Sequence, residues 1–336
     1  MRLFSRTPLR LSLAGGGTDV EPFLSLYGSI VLNFSINLFV RGFATFSQEQ
    51  KAVKLNAIEY GSNNKTYDEK DETFANALME ALIRKFSYMK LRNIHLSIQS
   101  PVSPGSGLGA SSAVIVTAVG LVSRILGLKL DSHAIAALAW EIERNDMNIA
   151  GGFQDHYATV FGGFNLMSGT DSKKIDVKKI EIEEEFIREF EDSIMLVDLG
   201  LSRDGGLIIK KQQERTFSKD QFTIAALIEQ KKIVNDILNS ILNKDIKGIG
   251  IGLEKAWNSK KRFTESITNT HIDKIHDQFM NSGAFGVKLS GAGGGGHMMI
   301  VFPREIRNDL VSLSTKLNLV QREILTTSEG FRCWNH

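Results

Sequence analysis

The sequence predicts an α+β protein built from two domains, and three observations carry that expectation. The chain has 336 residues, more than one hydrophobic core usually organises. Its first third is dominated by strand-like runs, and its second half alternates long helical segments with short apolar strands. Between these patterns, residues 170–192 are dense in charge and read as a junction, which divides the chain into residues 1–185 and 186–336.

The elements follow in order. Residues 9–13, 29–46 and 51–58 read as strands because β-branched and aromatic side chains dominate them. Residues 71–88 have helical periodicity, and residues 93–99 alternate as a strand. Residues 113–122 are apolar almost all round, as in a helix buried at a domain centre. Asp131 caps a helix running to about Asn145, Gly151-Gly152 make a turn, and a short helix spans residues 155–161. In the second half, residues 193–198, 286–289 and 297–302 are strands, and three helices occupy roughly residues 219–242, 245–263 and 272–281. There is no internal repeat or low-complexity tract.

Composition excludes several function classes. The 42% hydrophobic and 23% charged content is that of an ordinary globular chain, and a net charge of +2 carries no polyelectrolyte signature. Nucleic acid is therefore not an expected partner. Met1-Arg2-Leu3-Phe4 leads into Arg6, Pro8 and Arg10 rather than an apolar signal core, and no run has the length of a membrane span. A cytoplasmic protein without a membrane partner is expected. The single cysteine, Cys333, excludes an internal disulfide and a cysteine-rich metal site, and no catalytic role is expected of it.

Three glycine-rich motifs carry the chemistry. In Ser103-Pro104-Gly105-Ser106-Gly107-Leu108-Gly109-Ala110-Ser111-Ser112-Ala113, a glycine and serine loop runs directly into the apolar helix. First-turn amides lack intrahelical partners and sit at the positive end of the helix dipole, so this join favours a phosphate. The alternative is a helix capped by Ser111 with a glycine turn used for packing. A second motif, Gly291-Ala292-Gly293-Gly294-Gly295-Gly296, satisfies G-x-G-x-x-G but is followed by a strand, so it is neither a dinucleotide fingerprint nor, lacking Gly-Lys-Ser/Thr, a Walker loop. It is a hairpin-like loop that serves either a ligand or tight packing. The third, Pro8 to Asp19, ends a strand with Gly15-Gly16-Gly17 and a carboxylate, which taken alone reads as a turn or a helix cap.

In order and spacing these motifs resemble those of the GHMP small-molecule kinases over essentially the whole chain. The resemblance implies a two-domain GHMP kinase fold, a mixed α/β N-terminal domain followed by a ferredoxin-like C-terminal domain. It also implies ATP as phosphoryl donor and Mg²⁺ as cofactor. Within the family, Leu-Ala-Gly-Gly-Gly-Thr-Asp and the later Ala-Gly-Gly-x-Gln-Asp look most like the heptose 7-phosphate kinases. That implies transfer to the anomeric hydroxyl of a small sugar phosphate, and it leaves a homodimer open. Phe153 and His156 depart from the family pattern around Gln154-Asp155. Another anomeric sugar kinase such as a fucokinase is the nearest alternative, and a non-catalytic ATP and sugar sensor is the alternative of a different class.

Phosphoryl transfer needs positioning and charge neutralisation more than covalent help. Residues 104–112 (Pro104, Gly105, Ser106, Gly107, Leu108, Gly109, Ala110, Ser111, Ser112) hold the ATP phosphates by this reading, and Ser112 resembles the hydroxyl on Mg²⁺. Glu143 is the better metal carboxylate. With Ile135, Leu138 and Ile142 taken as the buried face, it lies about 80° from Ile135, whereas Glu141 lies about 120° off on the other side. The alternative is a solvated ion pair. Asp155 resembles the catalytic carboxylate that orients the acceptor hydroxyl and takes its proton. Arg10 resembles the basic residue beside that acid, although a strand arginine otherwise pairs at the surface. Asp19 resembles the sugar-binding acid of galactokinase, with Gly16, Gly17, Gly293 and Gly294 grouped as substrate contacts. The acceptor's own phosphate requires a further cation, and Arg203, in a loop before a helix starting near Leu207, is the candidate. A surface pairing of Arg203 with Asp204 is the alternative, and Lys260 or Lys261 could serve in its place.

Overall fold

The computed structural model describes residues 2–46, 54–60, 69–91, 94–103, 105–172, 174–200 and 205–335. Residues 51–53 of the third expected strand, Pro104 and Arg203 lie outside them. The strands in chain order are β1 (Arg2–Ala14), β2 (Ser29–Phe46), β3 (Lys54–Tyr60), β4 (Ile94–Ser100), β5 (Phe164–Gly169), β6 (Ile175–Lys179), β7 (Ile194–Asp198), β8 (Gly286–Leu289), β9 (His297–Val301), β10 (Val320–Arg322) and β11 (Arg332–Asn335). They form two sheets. The first has the order β11-β1-β2-β4-β3, with β5 bonded to β2 and β6 to β5; the second has the order β10-β7-β9-β8.

The 18-residue β2 is the axis of the first sheet. One side of it runs antiparallel to β1, while on the other its first part, Ser29 to Phe34, pairs with β5 and its last part, Arg41 to Phe46, pairs with β4. β1 begins at Arg2 and so is longer than expected. Its register shifts between Pro8 and Leu9, where proline has no N–H to give the ladder. The charged stretch carries the chain from β6 in the first sheet to β7 in the second, and the end of the chain returns to the first sheet as β11 beside β1.

The apolar helix begins at Ala110, earlier than expected, and continues to Ile125 with thirteen of its residues buried. It packs against β1, β2 and β4, which places its N-terminus in the middle of the molecule. Asp131 caps the next helix, Ser132–Glu141, by accepting the Ala134 N–H at 2.8 Å. The expected face of that helix requires correction. Ala136 and Ala139 are the buried residues and Ile135 and Leu138 are only partly covered, because the helix lies against Ala110–Ile125, where small side chains allow close approach. Beyond Glu141 the chain makes one π-helical turn, Ile142–Asp146, in which the Met147 N–H reaches the Ile142 carbonyl at 2.9 Å. A second core gathers Trp257, Phe263, Phe279 and Phe302 between the second sheet and helices Gly205–Phe217, Gln221–Leu242, Ile246–Lys260 and Thr270–Asn281.

Candidate active site

The loop before Ala110–Ile125 has the geometry of an anion cradle. Gly105, Gly107 and Gly109 take φ of 77°, 79° and 76°, a region that other residues reach at a cost. Gly109 is the N-cap and no side chain caps the helix, so capping by Ser111 is not observed and the first-turn amides are unspent. The two hydroxyls turn to Glu143 instead: Ser111 Oγ donates to Oε1 at 2.5 Å and Ser112 Oγ to Oε2 at 2.7 Å. The loop is clamped from both sheets. Arg10 N–H donates to Leu108 O at 3.1 Å, and His297 gives Ser106 O both its backbone N–H at 3.1 Å and its Nδ1–H at 2.9 Å. Gly107 and Gly291 touch backbone to backbone; a Cβ on Gly291 would fall 2.5 Å from Gly107 Cα.

Glu143 is buried, whereas Glu141 is half-buried and paired with Lys85 at 2.6 Å. Burial opposes ionisation of Glu143, but the charges of Arg144 and His156 and the hydroxyl of Ser111 outweigh it and hold the carboxyl far below its usual range. His156 Nε2 lies 2.6 Å from Glu143 Oε2, close enough for an ion pair but poorly angled for a hydrogen bond. The departure from the family pattern at His156 therefore bears on Glu143. Arg144 sits 3.4 Å from the same oxygen and folds the Gly-Gly turn by donating to the carbonyls of Ile149 and Gly152. An ionised carboxylate beside two hydroxyls is a hard oxygen donor set, which suits Mg²⁺ held jointly with phosphate oxygens.

Asp155 and Arg10 meet as the resemblance implied. Arg10 Nε donates to Asp155 Oδ1 at 2.7 Å and Nη2 to Oδ2 at 2.6 Å, while Nη1 holds Gly107 O at 2.6 Å. One guanidinium thus fixes the acid relative to the phosphate loop. Arg10 is buried rather than at the surface, and the Asp155 side chain keeps 27% exposure, so its carboxylate is reachable from the cleft. The cleft is lined by Arg10, Gly16, Gly17, Asp19, Gln154 and Asp155, and by Gln212, Lys260, Lys288 and Gly291 opposite. Asp19 is held by the N–H groups of Gly17 at 3.1 Å and Gln154 at 3.0 Å; burial and the nearby Asp155 charge push its carboxyl up. Gly152 has to be glycine, since a Cβ there would overlap Asp19 Oδ2. Gly293 and Gly294 pack on Ile267 instead of lining the cleft, the Gly294 N–H reaching Ile267 O at 2.8 Å. Lys261 lies over the Trp257 ring, 5.8 Å from its centroid.

Family models match both halves of the chain: the GHMP kinases N-terminal domain over residues 73–163 and the GHMP kinases C-terminal domain over residues 237–315. The chain belongs to the GHMP kinases. This GHMP kinase is 30% identical to the D-glycero-alpha-D-manno-heptose 7-phosphate kinase of Campylobacter jejuni, with 98% of each chain covered. It is 24% identical to an L-fucokinase/L-fucose-1-P guanylyltransferase of Bacteroides fragilis over 89% of this chain and 34% of that protein. Among solved structures it matches a D-glycero-D-manno-heptose 1-phosphate kinase from Bacteroides thetaiotaomicron with a TM-score of 0.77 at 25% identity, covering 99% of both chains. It is a phosphotransferase acting on a sugar hydroxyl, and among the described residues no helix is long and apolar enough to cross a membrane.

Several residues that shape the site were given no role by the sequence, although Gln154 stands inside the Ala-Gly-Gly-x-Gln-Asp motif. Gln154 gives Asp19 its backbone N–H, Gln212 Nε2 donates to Gly17 O at 2.9 Å, and Lys288 Nζ donates to Ser12 O at 2.7 Å from the opposite sheet. Their signal was weak, because a glutamine on a helix and a lysine on a strand are ordinary surface residues until the fold buries them.

Proposed function

We propose that this kinase transfers the γ-phosphoryl of ATP to the anomeric hydroxyl of D-glycero-D-manno-heptose 7-phosphate, giving the 1,7-bisphosphate. The observation that carries the transfer is the bidentate Arg10–Asp155 pair, anchored on Gly107 and facing the cleft. ATP phosphates lie on the amides of residues 105–112, and Mg²⁺, which neutralises charge on them, is held by Glu143 and Ser112. Asp155 orients the anomeric hydroxyl and accepts its proton as the oxygen attacks, while Arg10 keeps the carboxylate in line. Asp19 accepts a sugar hydroxyl, and Arg203 reads the acceptor's phosphate.

The whole-length likeness to a heptose 7-phosphate kinase supports the acceptor, and the likeness to a fucokinase makes fucose the competing one. ATP as donor favours a cytoplasmic site of action. The test offers heptose 7-phosphate, fucose, mannose and galactose with ATP and Mg²⁺ and reads sugar phosphate by NMR. Turnover of heptose 7-phosphate far above the others is expected. Equal turnover of an unphosphorylated sugar would refute the acceptor, and undiminished turnover in a chelator would refute the metal.

A further inference from the structure

The cleft holds three buried basic side chains beside two carboxylates. Arg10, Lys260 and Lys288 are all at least nine-tenths buried, as is Asp19, and Asp155 completes the set. Arg10 is spent on Asp155 and on Gly107 O. Lys288 is tied to the carbonyl of Ser12. Lys260 sits at the end of the helix Ile246–Lys260, and its ammonium is bonded to the carbonyl of Gly291. Among the described residues it has no carboxylate ion-pair partner. An ammonium has three donors, and a buried one resting on a single neutral carbonyl is poorly compensated. Burial, and next the charge of Arg10, push the Lys260 ammonium down to about 8, against the pull of Asp19 and Asp155. A site arranged this way is completed by an anion.

Its position says which anion. Gly291, which holds Lys260, packs on Gly107 of the phosphate loop, and Gly107 O is held by the same Arg10 that holds Asp155. Lys260 is therefore tied to the junction of the phosphate loop, the glycine hairpin and the acid. The remote phosphate of a phosphosugar would lie the length of the sugar away from the hydroxyl facing Asp155. We infer that Lys260 is a catalytic residue whose ammonium leaves the Gly291 carbonyl to bind the phosphoryl group passing from ATP to the acceptor. In that step the acceptor oxygen forms its bond to the γ-phosphorus, the bond from phosphorus to the β,γ-bridging oxygen breaks, and ADP leaves with the electron pair. The hydroxyl proton goes to Asp155. Lys260 neither gains nor loses a proton and offsets charge on the equatorial oxygens. The inference rests on the kinase reading of the cleft but not on the identity of the sugar.

The test titrates the β,γ-imido analogue of ATP and, separately, ADP, each with Mg²⁺, into the wild-type protein, Lys260→Met and Lys260→Arg by calorimetry, and follows melting of each. Lys260→Met should weaken the imido analogue by about tenfold, the scale of one charge-assisted hydrogen bond, and ADP by less than about twofold. Lys260→Arg should recover most of the loss. Methionine removes a poorly compensated charge, so the variant should melt no lower than the wild type. Equal losses for both nucleotides, or no loss for either, would overturn the assignment, as would a variant that melts well below the wild type. An unchanged nucleotide profile with a raised KM for heptose 7-phosphate would move the ammonium to the acceptor's phosphate. A wild-type protein that binds neither nucleotide overturns the kinase reading and this inference together. One that binds nucleotide but phosphorylates no sugar overturns the proposed acceptor alone.

Discussion

The two walls of the cleft are built on opposite principles. On the nucleotide side, the Glu143 carboxylate takes two hydroxyls and lies against His156 and Arg144, and the Ser106 carbonyl takes two donors from His297. On the acceptor side, Lys260 and Lys288 each rest on one carbonyl, and Asp19 is held by two amides with no cation in hydrogen-bond contact among the described residues. The first wall is charge-matched and preorganised by the chain itself. The second holds charges that other molecules must balance, at the cost of desolvated groups in the empty state. One wall therefore fixes a donor that is the same in every turnover, and the other carries recognition and chemistry.

The strongest way to break this division is at Asp155, which faces the second wall but is anchored to the first. Asp155→Asn should lower kcat by about a thousandfold or more, since the amide keeps the shape but cannot take the proton. Nucleotide affinity, measured by calorimetry, should stay nearly intact. Near-normal turnover in the folded variant would move the base elsewhere. On the nucleotide wall, Glu143→Gln should raise the Mg²⁺ concentration needed for half-maximal turnover by roughly ten- to a hundredfold, while Glu141→Gln should change it by less than about twofold. Equal effects would dissolve the distinction that burial draws between them.

For the acceptor's phosphate, Arg203→Ala should raise the KM for heptose 7-phosphate by about tenfold and leave the KM for ATP little changed. An unaltered sugar-phosphate KM would remove Arg203 from recognition. The helix Gly205–Phe217 supplies Ile208, Ile209 and Gln212 to the cleft.

The same division governs what the sequence made legible. The nucleotide wall is local. Three glycines, two serines and an apolar helix are consecutive, and their positive φ values and unspent amides follow from residue type. Glu143 was singled out on a helix wheel drawn through Ile135 and Leu138, a face the structure corrects, and the π turn that carries it was not foreseen, because one slipped hydrogen bond leaves no periodic trace. The acceptor wall is not local. Lys288 Nζ meets Ser12 O across 276 positions of sequence, and Gln212 meets Gly17 across 195. Arg10 was recognised through its motif alone, since nothing in an alternating strand announces that an arginine points inward to a carboxylate 145 residues away. The short β11 passed unnoticed too; four residues, of which only Cys333 is partly covered, are too few for a pattern.

The smallest expected effect is a pH dependence confined to the acceptor wall. Lys260 faces Arg10 from β1, Asp19 from the turn after it, Asp155 from the helix Gln154–Phe161 and Lys288 from β8. Burial and the Arg10 charge favour the neutral amine and bring its pKa from 10.5 to about 8, so the group is an ammonium below that pH and an amine above it. An anion binds the ammonium. Affinity for the imido analogue should therefore be highest below pH 8 and decline a few-fold as pH rises through it, by the scale of one weakened charge contact. Lys260→Arg, whose charge persists, should flatten that decline. Stability runs the other way. Between about 8 and 10.5 the unfolded chain binds the proton and the folded one does not, so the cost of burying the ammonium is fully present below pH 8 and is relieved as pH rises. Lys260→Met should accordingly melt above the wild type at pH 7, with the gap closing as the pH is raised toward 10. A gap independent of pH would mean that the folded and unfolded chains hold this proton equally, so that burial does not lower the Lys260 ammonium, and the contrast between the two walls would lose its clearest member.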